Sequence, residues 1–316
     1  NITPADIDEV SKRHFIENAK GNILFKTKPN CLISPSIKNE NGKNRVIHSC
    51  DTINYLNFDS VFKHIEHVFD NPSIILSPGE ENINHMCKRI WGRAGIVNFS
   101  LDYEDFNSQH SIDDMKIVVN ALRQYIGDGL CNWLLASFDN MKVFYRNKWY
   151  KWYHSLPSGH RLTSFINSVL NYSYVRVMLE EVGIDKYESV HAGDDCVIFI
   201  NDVRDVDKTI NATINNKFGI RLNRSKQCLN SNFEFLRMSY NISSVHGYIN
   251  RSIGALVNGN WTNTSVLTHD EYINCMNQMV YTLYNRGGTA YSESLVCTAM
   301  RHAQLSIQEA LKYVKG

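Results

Sequence analysis

The segment HAGDDCVIFI constrains the fold of this 316-residue chain more than any other stretch. Asp194 and Asp195 are followed by an apolar run from Cys196 to Ile200, and Gly193 permits a tight turn because glycine adopts positive φ at no steric cost. We therefore predict a hairpin of two short strands from Ser189 to Ile200. Two like charges in one turn repel each other, and a bound cation would remove that cost. A Gly-Asp-Asp triplet in isolation is more often a solvated surface turn, so its surroundings decide between the two interpretations.

A third carboxylate ends another predicted strand. IVNFSLD indicates a buried strand that finishes at Asp102. Transfer of a phosphoryl group from a triphosphate to a hydroxyl uses two divalent cations roughly 3.5–4 Å apart. Magnesium prefers carboxylate and water ligands. Asp102, Asp194 and Asp195 are therefore candidates for such a site if the two strand ends converge.

The segment LPSGHRLTSFINSVLNYSYV predicts a loop at Ser158 and Gly159 that enters a long helix from Arg161 to Glu181, closed by Gly183. In the first half of the helix every fourth residue is polar, and the apolar residues cover the opposite side. These polar residues are Thr163, Asn167 and Asn171. A stripe of hydroxyl and amide groups suits recognition of a ribose hydroxyl. A solvated helix face is the alternative, but such a face usually carries Lys and Glu.

The three segments resemble the palm motifs of viral RNA-dependent RNA polymerases. LDYEDFNSQHS is similar to motif A, SGHRLTSFIN to motif B and AGDD to motif C. The continuation DFNSQH resembles totiviruses and related double-stranded RNA viruses. The resemblance covers about residues 38 to 240, with the motifs in the family's order. It implies an α+β right-hand polymerase with an antiparallel-sheet palm (an RRM-like core), helices packed on one face, and partial fingers and thumb.

The resemblance implies a role for each matching residue. Asp102, Asp194 and Asp195 would be catalytic and hold two Mg²⁺ or Mn²⁺ ions. Asn167, supported by Thr163, would contact the ribose 2′-hydroxyl, and Ser158 with Gly159 would form a mobile loop that checks the nascent pair. Asn107 stands where many of these polymerases carry a second aspartate and can still donate to a ribose hydroxyl. The role of Asp105, metal ligand or structural residue, stays open.

Outside those motifs, three segments are less specific. GKNRVIH is similar to the basic motif F, so Lys43 and Arg45 would cover the triphosphate; ordinary exposed loop charge is the alternative. Lys226 would be a general acid for the leaving pyrophosphate, and a surface lysine is an equal alternative. FEFLRMSY resembles motif E, the primer grip, with a plain core strand pair as the alternative.

Further local patterns predict the remaining elements. Ser111 and Asp114 predict a capping box that begins a helix ending before Gly127. Val143 to Tyr153 predicts a hairpin that turns at Arg146, Asn147 and Lys148. We also expect a helix from Val206 to Phe218, closed by Gly219, a hairpin from Phe233 to Tyr240 with Tyr248–Ile249, and a mostly helical tail after Asp270.

This organisation predicts alternating parts of a right hand. The expected parts are a fingers segment with motif F (1–95), palm with motif A (96–126), a fingers insertion (127–157), palm with motifs B to E (158–240) and thumb (241–316). Complete viral polymerases have longer fingers and thumb, so a catalytic core or a compact member of the class is expected. Because the chain begins at Asn1, we expect it to be cut from a longer chain.

Composition argues against a zinc-binding, a disulfide-rich and a membrane-spanning protein. With 43% hydrophobic residues, 21% charged residues and a net charge of +1, the chain is ordinary globular protein without a global basic field. Eight cysteines without a CxxC pair argue against a zinc site or a disulfide framework and favour dispersed buried thiols. We expect no signal peptide, and the sequence has no apolar run of membrane length. We expect location in the virion interior or the host cytoplasm, with no membrane partner.

The expected partners are the RNA template and product strand, nucleoside triphosphates, and a viral capsid or Gag-like protein. Reverse transcriptase is one alternative, but Ala192 and Gly193 replace its usual aromatic residue before the aspartates, and Asn167 favours an RNA product. A non-catalytic RNA-binding palm is another, since KVFYRNKWYKWYH could stack on single strands. The intact aspartates argue against it. A structural protein with accidental motifs requires three coincidences in order.

Overall fold

The computed structural model describes residues 23–40, 43–76 and 83–257, together with residues 274–275, 278, 282–283 and 286. The strands in this part are β1 (Cys31–Glu40), β2 (Lys43–Cys50), β3 (Val97–Leu101), β4 (Met141–Tyr145), β5 (Lys148–Lys151), β6 (Glu188–Ala192), β7 (Asp195–Ile200), β8 (Cys228–Asn230), β9 (Phe233–Phe235), β10 (Met238–Tyr240) and β11 (Val245–Gly247). The α-helices are α1 (Thr52–Val68), α2 (Ile83–Trp91), α3 (Ile112–Asn120), α4 (Arg123–Ile126), α5 (Asp128–Asp139), α6 (Thr163–Glu180), α7 (Val206–Ile214) and α8 (Ile249–Val257).

A four-stranded antiparallel sheet in the order β6-β7-β3-β8, here the central sheet, carries the predicted hairpin. Cys196, Ile198 and Ile200 of β7 pack on one face against residues of α6 and α7. Val197 and Phe199 point to the other face. Because β7 is apolar on both sides, both faces must be buried.

The structure differs here from the expectation that helices cover only one face. The second face of the central sheet packs against Met86 and Ile90 of α2 and against Phe233 and Phe235 of β9. β9 belongs to a three-stranded sheet in the order β11-β10-β9. The central sheet is therefore an inner layer with helices α6 and α7 on one side and a mixed layer on the other.

A second sheet has the order β2-β1-β4-β5. β1 and β2 form an antiparallel hairpin, and the beginning of β1 pairs in parallel with β4. This sheet lies beside a separate core cluster that contains Phe58 and Phe62 of α1, Phe138 of α5, and Phe165 and Ile166 of α6. Helix α6 thus contributes to both the core beside the second sheet and the core beside the central sheet.

That shared position changes the interpretation of α6. The sequence predicts a helix with one apolar side and one polar stripe, but Asn167, Ser168 and Asn171 are buried as well. A helix enclosed by two cores has little solvated surface, so its polar side chains must find partners inside the protein.

Several local predictions are confirmed. Ser111 and Asp114 form both bonds of a capping box. The β4–β5 hairpin turns at Arg146 and Asn147, whose φ angles are 46° and 61°. Helix α6 is followed by Gly183 at φ 74°.

Other boundaries differ from the predictions. The helix that begins at Ile112 stops at Asn120, and α4 and α5 follow it; the sequence analysis missed α5. Helix α7 ends at Ile214 because the Asn216 amide donates to the carbonyls of Thr213 and Ile220 and so turns the chain. The third strand of the final sheet is β11, and Tyr248 lies beyond its end.

The described part of the chain contains no helix long and apolar enough to cross a bilayer. Its cysteines are free; most are buried, while Cys228 and Cys275 are exposed. Most of the predicted thumb and helical tail, and residues 1–22, lie outside the described residues.

Candidate active site

The register of the central sheet brings the predicted carboxylates to one edge. The last pair between β3 and β7 is Leu101 with Cys196, and the last pair between β6 and β7 is Ala192 with Asp195. Asp102 follows Leu101 directly, so it lies opposite Asp195 in the continued antiparallel register. Asp194 occupies the intervening turn after Gly193, whose φ is 63°.

These carboxylates influence one another electrostatically. The pKa of Asp195 is raised to about 6, first because surrounding protein atoms desolvate it and then because of the negative charges of Asp194, Glu234 and Asp102. Asp195 is exposed to solvent, but the negative charges around it still disfavour its ionised form. A divalent cation would reverse this preference, so the chemistry of the three aspartates fits a metal site. Within the described residues, however, no three metal-ligating side chains are already gathered around one point.

Lys226 and Gln227 lie directly against Asp102. The Lys226 Nζ atom is 3.4 Å from both carboxylate oxygens of Asp102, although its side chain is largely exposed. The Gln227 amide donates to the Asp102 carbonyl at 2.7 Å and accepts from the Asp102 backbone N–H at 3.3 Å. The sequence analysis identified Lys226 but missed Gln227, because one glutamine in a polar segment carries no signal of a contact 125 residues away.

Asn167 is tied into an internal network. Its amide nitrogen donates to Asn107 Oδ1 at 2.7 Å, and its Oδ1 lies 2.9 Å from His110 Nε2. This orientation makes Nε2 the protonated nitrogen of His110, so Nδ1 accepts from the Tyr174 hydroxyl at 3.0 Å. Burial lowers the pKa of His110 to about 4 and keeps the ring neutral at pH 7. Asn107 is half-buried, and its amide nitrogen bonds to no residue that the structure describes.

Asn171 holds the turn that carries the paired aspartates. Its amide nitrogen donates to the carbonyls of Gly193 at 3.1 Å and Asp195 at 3.2 Å. Its oxygen accepts from the Tyr103 hydroxyl at 2.9 Å and lies 3.0 Å from Nδ1 of buried His191. Asn171 is fully buried and therefore faces the turn rather than a ligand.

Ser168 supports the same turn, and the sequence analysis did not single it out. Its hydroxyl accepts from the Gly193 N–H at 2.7 Å and donates to the Ser164 carbonyl at 2.8 Å. Ser168 lies one residue after Asn167 and three before Asn171. As a polar residue next to the predicted stripe, it could have been identified from the sequence.

The Ser158–Gly159 loop is docked on β2. The Gly159 N–H donates to the His48 carbonyl at 3.1 Å, and Ser158 Oγ accepts from the His48 N–H at 3.1 Å. A Cβ atom at Gly159 would lie 2.8 Å from the His48 carbonyl oxygen, so this approach requires glycine. Thr163 does not point to a ligand: its hydroxyl donates within the loop, to the carbonyls of Pro157 and His160.

The remaining predicted residues occupy different places. Arg45 lies exposed on β2, three residues before His48, and Lys43 begins β2 with its side chain outside the described part. Asp105 has φ 45°, and its carbonyl accepts from the N–H and the hydroxyl of Ser108. Its backbone therefore shapes the turn after Asp102.

The predicted motif E segment forms part of the core beside the central sheet. Phe233 of β9 and Tyr240 of β10 stack with parallel rings 4.6 Å apart, and both are buried. Between them, the carbonyls of Leu236 and Arg237 accept from the Arg286 guanidinium at 3.0 and 2.6 Å. This segment therefore supports the sheet that carries the aspartates.

Comparisons with known proteins identify the family of the chain. Residues 8–261 match the family model described as viral RNA-directed RNA polymerase. The chain is 37% identical over 257 residues to the probable RNA-directed RNA polymerase of Leishmania RNA virus 1 - 1, covering 78% of this chain and 28% of that protein. It is 34% identical over 269 residues to the corresponding protein of Helminthosporium victoriae virus-190S, covering 84% of this chain and 32% of that protein. The chain thus spans about a third or less of these relatives.

Solved structures give the same result at the level of the fold. The crystal structure of the RNA-dependent RNA polymerase of a human picobirnavirus superposes with a TM-score of 0.65 at 14% identity, covering 85% of this chain and 57% of that one. The expected resemblance to totivirus proteins is confirmed by the relatives found. The chain belongs to the family of viral RNA-directed RNA polymerases.

Proposed function

We propose that this chain is the catalytic core of an RNA-dependent RNA polymerase that adds ribonucleotides from nucleoside triphosphates to an RNA 3′ end for viral genome replication and transcription. The observation that carries the proposal is the shared edge of the central sheet, where Asp102 and Asp195 lie in register and Asp194 occupies the turn. Ser168 and Asn171 fix that turn from helix α6.

The proposal divides the chain as a right hand. The central sheet is the RRM-like palm, formed by residues 96–126 and 158–240. Residues 1–95 and 127–157 form the fingers, and 241–316 the thumb. Support comes from the two separate cores that share α6, one beside each sheet.

Asp102, Asp194 and Asp195 would hold two Mg²⁺ or Mn²⁺ ions. When bound, such ions activate the attacking hydroxyl and stabilise charge on the leaving pyrophosphate. Lys226 would be the general acid for the leaving pyrophosphate, and its contact with Asp102 supports this role. Arg45, with Lys43, would contact the triphosphate from β2.

Recognition of ribose would involve Asn107 and Asn167 as a hydrogen-bonded pair. Asn167 is already committed to Asn107 and His110, so Asn107, whose amide nitrogen is available, would be the direct contact and Asn167 its support. Ser158 and Gly159 would check the nascent base pair. Their contact with His48 would transmit the result to β2. Asp105 would shape the turn rather than bind metal.

The proposed partners are the RNA template and product strand and nucleoside triphosphates, with a capsid or Gag-like protein in the virion interior or host cytoplasm. Reverse transcription is the competing function, and an amide pair at the ribose position instead of an aromatic residue disfavours it.

The test is incorporation of labelled ribonucleotides on a single-stranded RNA template with magnesium or manganese, and of deoxyribonucleotides in parallel. Asp194→Asn should abolish synthesis with the fold intact, because one ligand loses its charge. Asp185→Asn, an exposed aspartate at the opposite end of β6, is the matched control and should retain activity. Unchanged incorporation by Asp194→Asn would overturn the metal-site assignment, and a preference for deoxyribonucleotides would support reverse transcription.

A further inference from the structure

The β4–β5 hairpin presents an exposed face that no part of the proposed catalytic mechanism uses. Lys142 pairs with Lys151 across the two strands, and Phe144 pairs with Trp149. Directly opposed residues in an antiparallel pair point to the same side. Met141 and Val143 alternate with them and pack into the core on the other side.

This face combines aromatic rings with positive charge. The Phe144 and Trp149 ring centroids are 5.0 Å apart, and these side chains are 37% and 48% exposed. Lys142 and Lys151 are both exposed and lie directly opposite each other. Like charges in such a pair destabilise a sheet, and the segment from Met141 to Tyr153 contains no acidic residue to offset them.

The two lysines also lack acidic partners among the other described residues. Within the described residues, neither Lys142 nor Lys151 forms an ion pair; Lys151 lies instead over the Tyr153 ring, 5.5 Å from its centroid. Arg146 in the turn similarly lies over the Tyr145 ring at 5.2 Å. An uncompensated positive pair beside an exposed aromatic pair is complementary to a ligand that has both anionic groups and flat rings.

We propose that this face, here the stacking platform (Lys142, Phe144, Trp149 and Lys151), binds single-stranded RNA, with bases on the two rings and phosphates on the two lysines. Neighbouring pairs on one face are two residues apart, about 7 Å along the strand, so one nucleotide can reach both pairs. Only unpaired bases expose their faces for stacking, which selects single strands over duplex. An acidic peptide would satisfy the lysines but leave the rings unmatched.

The platform is connected to the candidate active site through the chain that leaves β5. The Trp152 ring packs on His48 at 5.0 Å between centroids. The Ser155 and Leu156 N–H groups donate to the carbonyls of His110 and Asn107 at 3.1 and 3.0 Å. RNA held on the platform would therefore lie on a hairpin whose outgoing chain contacts the segment that follows Asp102. The proposal rests on the proposed function for the choice of RNA as the polyanion.

The test is fluorescence anisotropy of a labelled single-stranded RNA oligonucleotide titrated with the 316-residue chain at several salt concentrations, without nucleotides. Trp149→Ala should weaken binding roughly 5- to 150-fold, the range for loss of one base stack. Lys142→Gln combined with Lys151→Gln should reduce the slope of log K against log salt by about 1.4, since each single-strand phosphate contact contributes about 0.7. Trp91→Ala and Lys186→Gln, which remove an exposed tryptophan and lysine elsewhere, should leave binding unchanged.

The proposal would be overturned if the platform variants bound single-stranded RNA with the affinity and the salt slope of the parent. It would also be overturned if they lost binding to duplex RNA to the same extent as binding to single strands. If Trp149→Ala loses its circular dichroism signal, the double glutamine variant decides, because it changes only exposed side chains. The Asp194→Asn protein separates the two proposals: it should bind RNA like the parent while failing to synthesise. Platform-dependent binding in a parent without synthesis would instead retain this inference and contradict the proposed function.

Discussion

Asn171→Ala should test whether helix α6 fixes the turn of the paired aspartates. The substitution removes four hydrogen bonds: two donated to the carbonyls of Gly193 and Asp195, and two with Tyr103 and His191. A hydrogen bond contributes about 0.5–1.5 kcal/mol net, and buried groups left without partners raise the cost. We therefore expect the free energy of unfolding to fall by about 3–5 kcal/mol, a large share of the usual 5–15 kcal/mol.

The assay is urea unfolding at pH 7 followed by circular dichroism, with ribonucleotide incorporation measured on the same preparations. Ser168→Ala removes the single bond from Gly193 and should cost about 1–2 kcal/mol. Because both side chains hold one turn, the double variant should lose less than the sum of the single losses. Asn120→Ala at the exposed end of α3 is the control and should stay within about 0.5 kcal/mol. A loss below about 1 kcal/mol for Asn171→Ala, with normal incorporation, would refute the reasoning.

Three further substitutions test other contacts. Gly159→Ala should destabilise the protein by about 1–3 kcal/mol and reduce incorporation, because its Cβ would lie 2.8 Å from the His48 carbonyl oxygen; Gly129→Ala, with open space around it in α5, is the thermal-unfolding control. Burial lowers the pKa of His160 to about 3 from the usual 6.5, so its contribution to stability is present above pH 6.5 and is lost as pH falls towards 3. His160→Asn keeps an acceptor for the Leu162 N–H, and should reduce the slope of unfolding free energy against pH by up to about 1.4 kcal/mol per unit between pH 4 and 6. A slope identical to the parent's would contradict this; Phe138→Leu in the same pocket should differ from the parent by a constant amount. Arg45→Ala should raise the nucleotide concentration for half-maximal incorporation, and an unaltered requirement would assign Arg45 to the surface alone.

The sequence predicts those features that depend on neighbouring residues. A glycine before two aspartates and an apolar run after them are sufficient for the β6–β7 hairpin, and the Ser111–Asp114 pair is sufficient for the start of α3. Periodicity also assigns Asn167 and Asn171 to one stripe of α6. It cannot indicate what lies opposite that stripe, because the partners come from distant parts of the chain. Asn167 bonds to Asn107, and Asn171 bonds to the turn.

Contacts that determine the site over long separations were beyond sequence reasoning. The Gln227 side chain hydrogen-bonds to the N–H and the carbonyl of Asp102, and the Gly159 N–H donates to the His48 carbonyl. More than a hundred residues separate the partners in each case. The cover on the second face of the central sheet was missed for the same reason. The residues from Cys196 to Ile200 of β7 could be recognised as apolar, but the element that packs on their second face could not.

Helix α6 makes three of the contacts that shape the candidate site. Successive positions four residues apart contact three different parts of the protein: Thr163 braces the loop docked on β2, Asn167 bonds to Asn107, and Asn171 holds the Gly193–Asp195 turn. Eight residues of α-helix rise about 12 Å, and rotation over four residues is close to one full turn. The three contacts are therefore fixed relative to one another by helix geometry alone. Because the two cores meet on this helix, the position of β2 relative to the carboxylate edge depends on α6 and on the short loop that Thr163 braces.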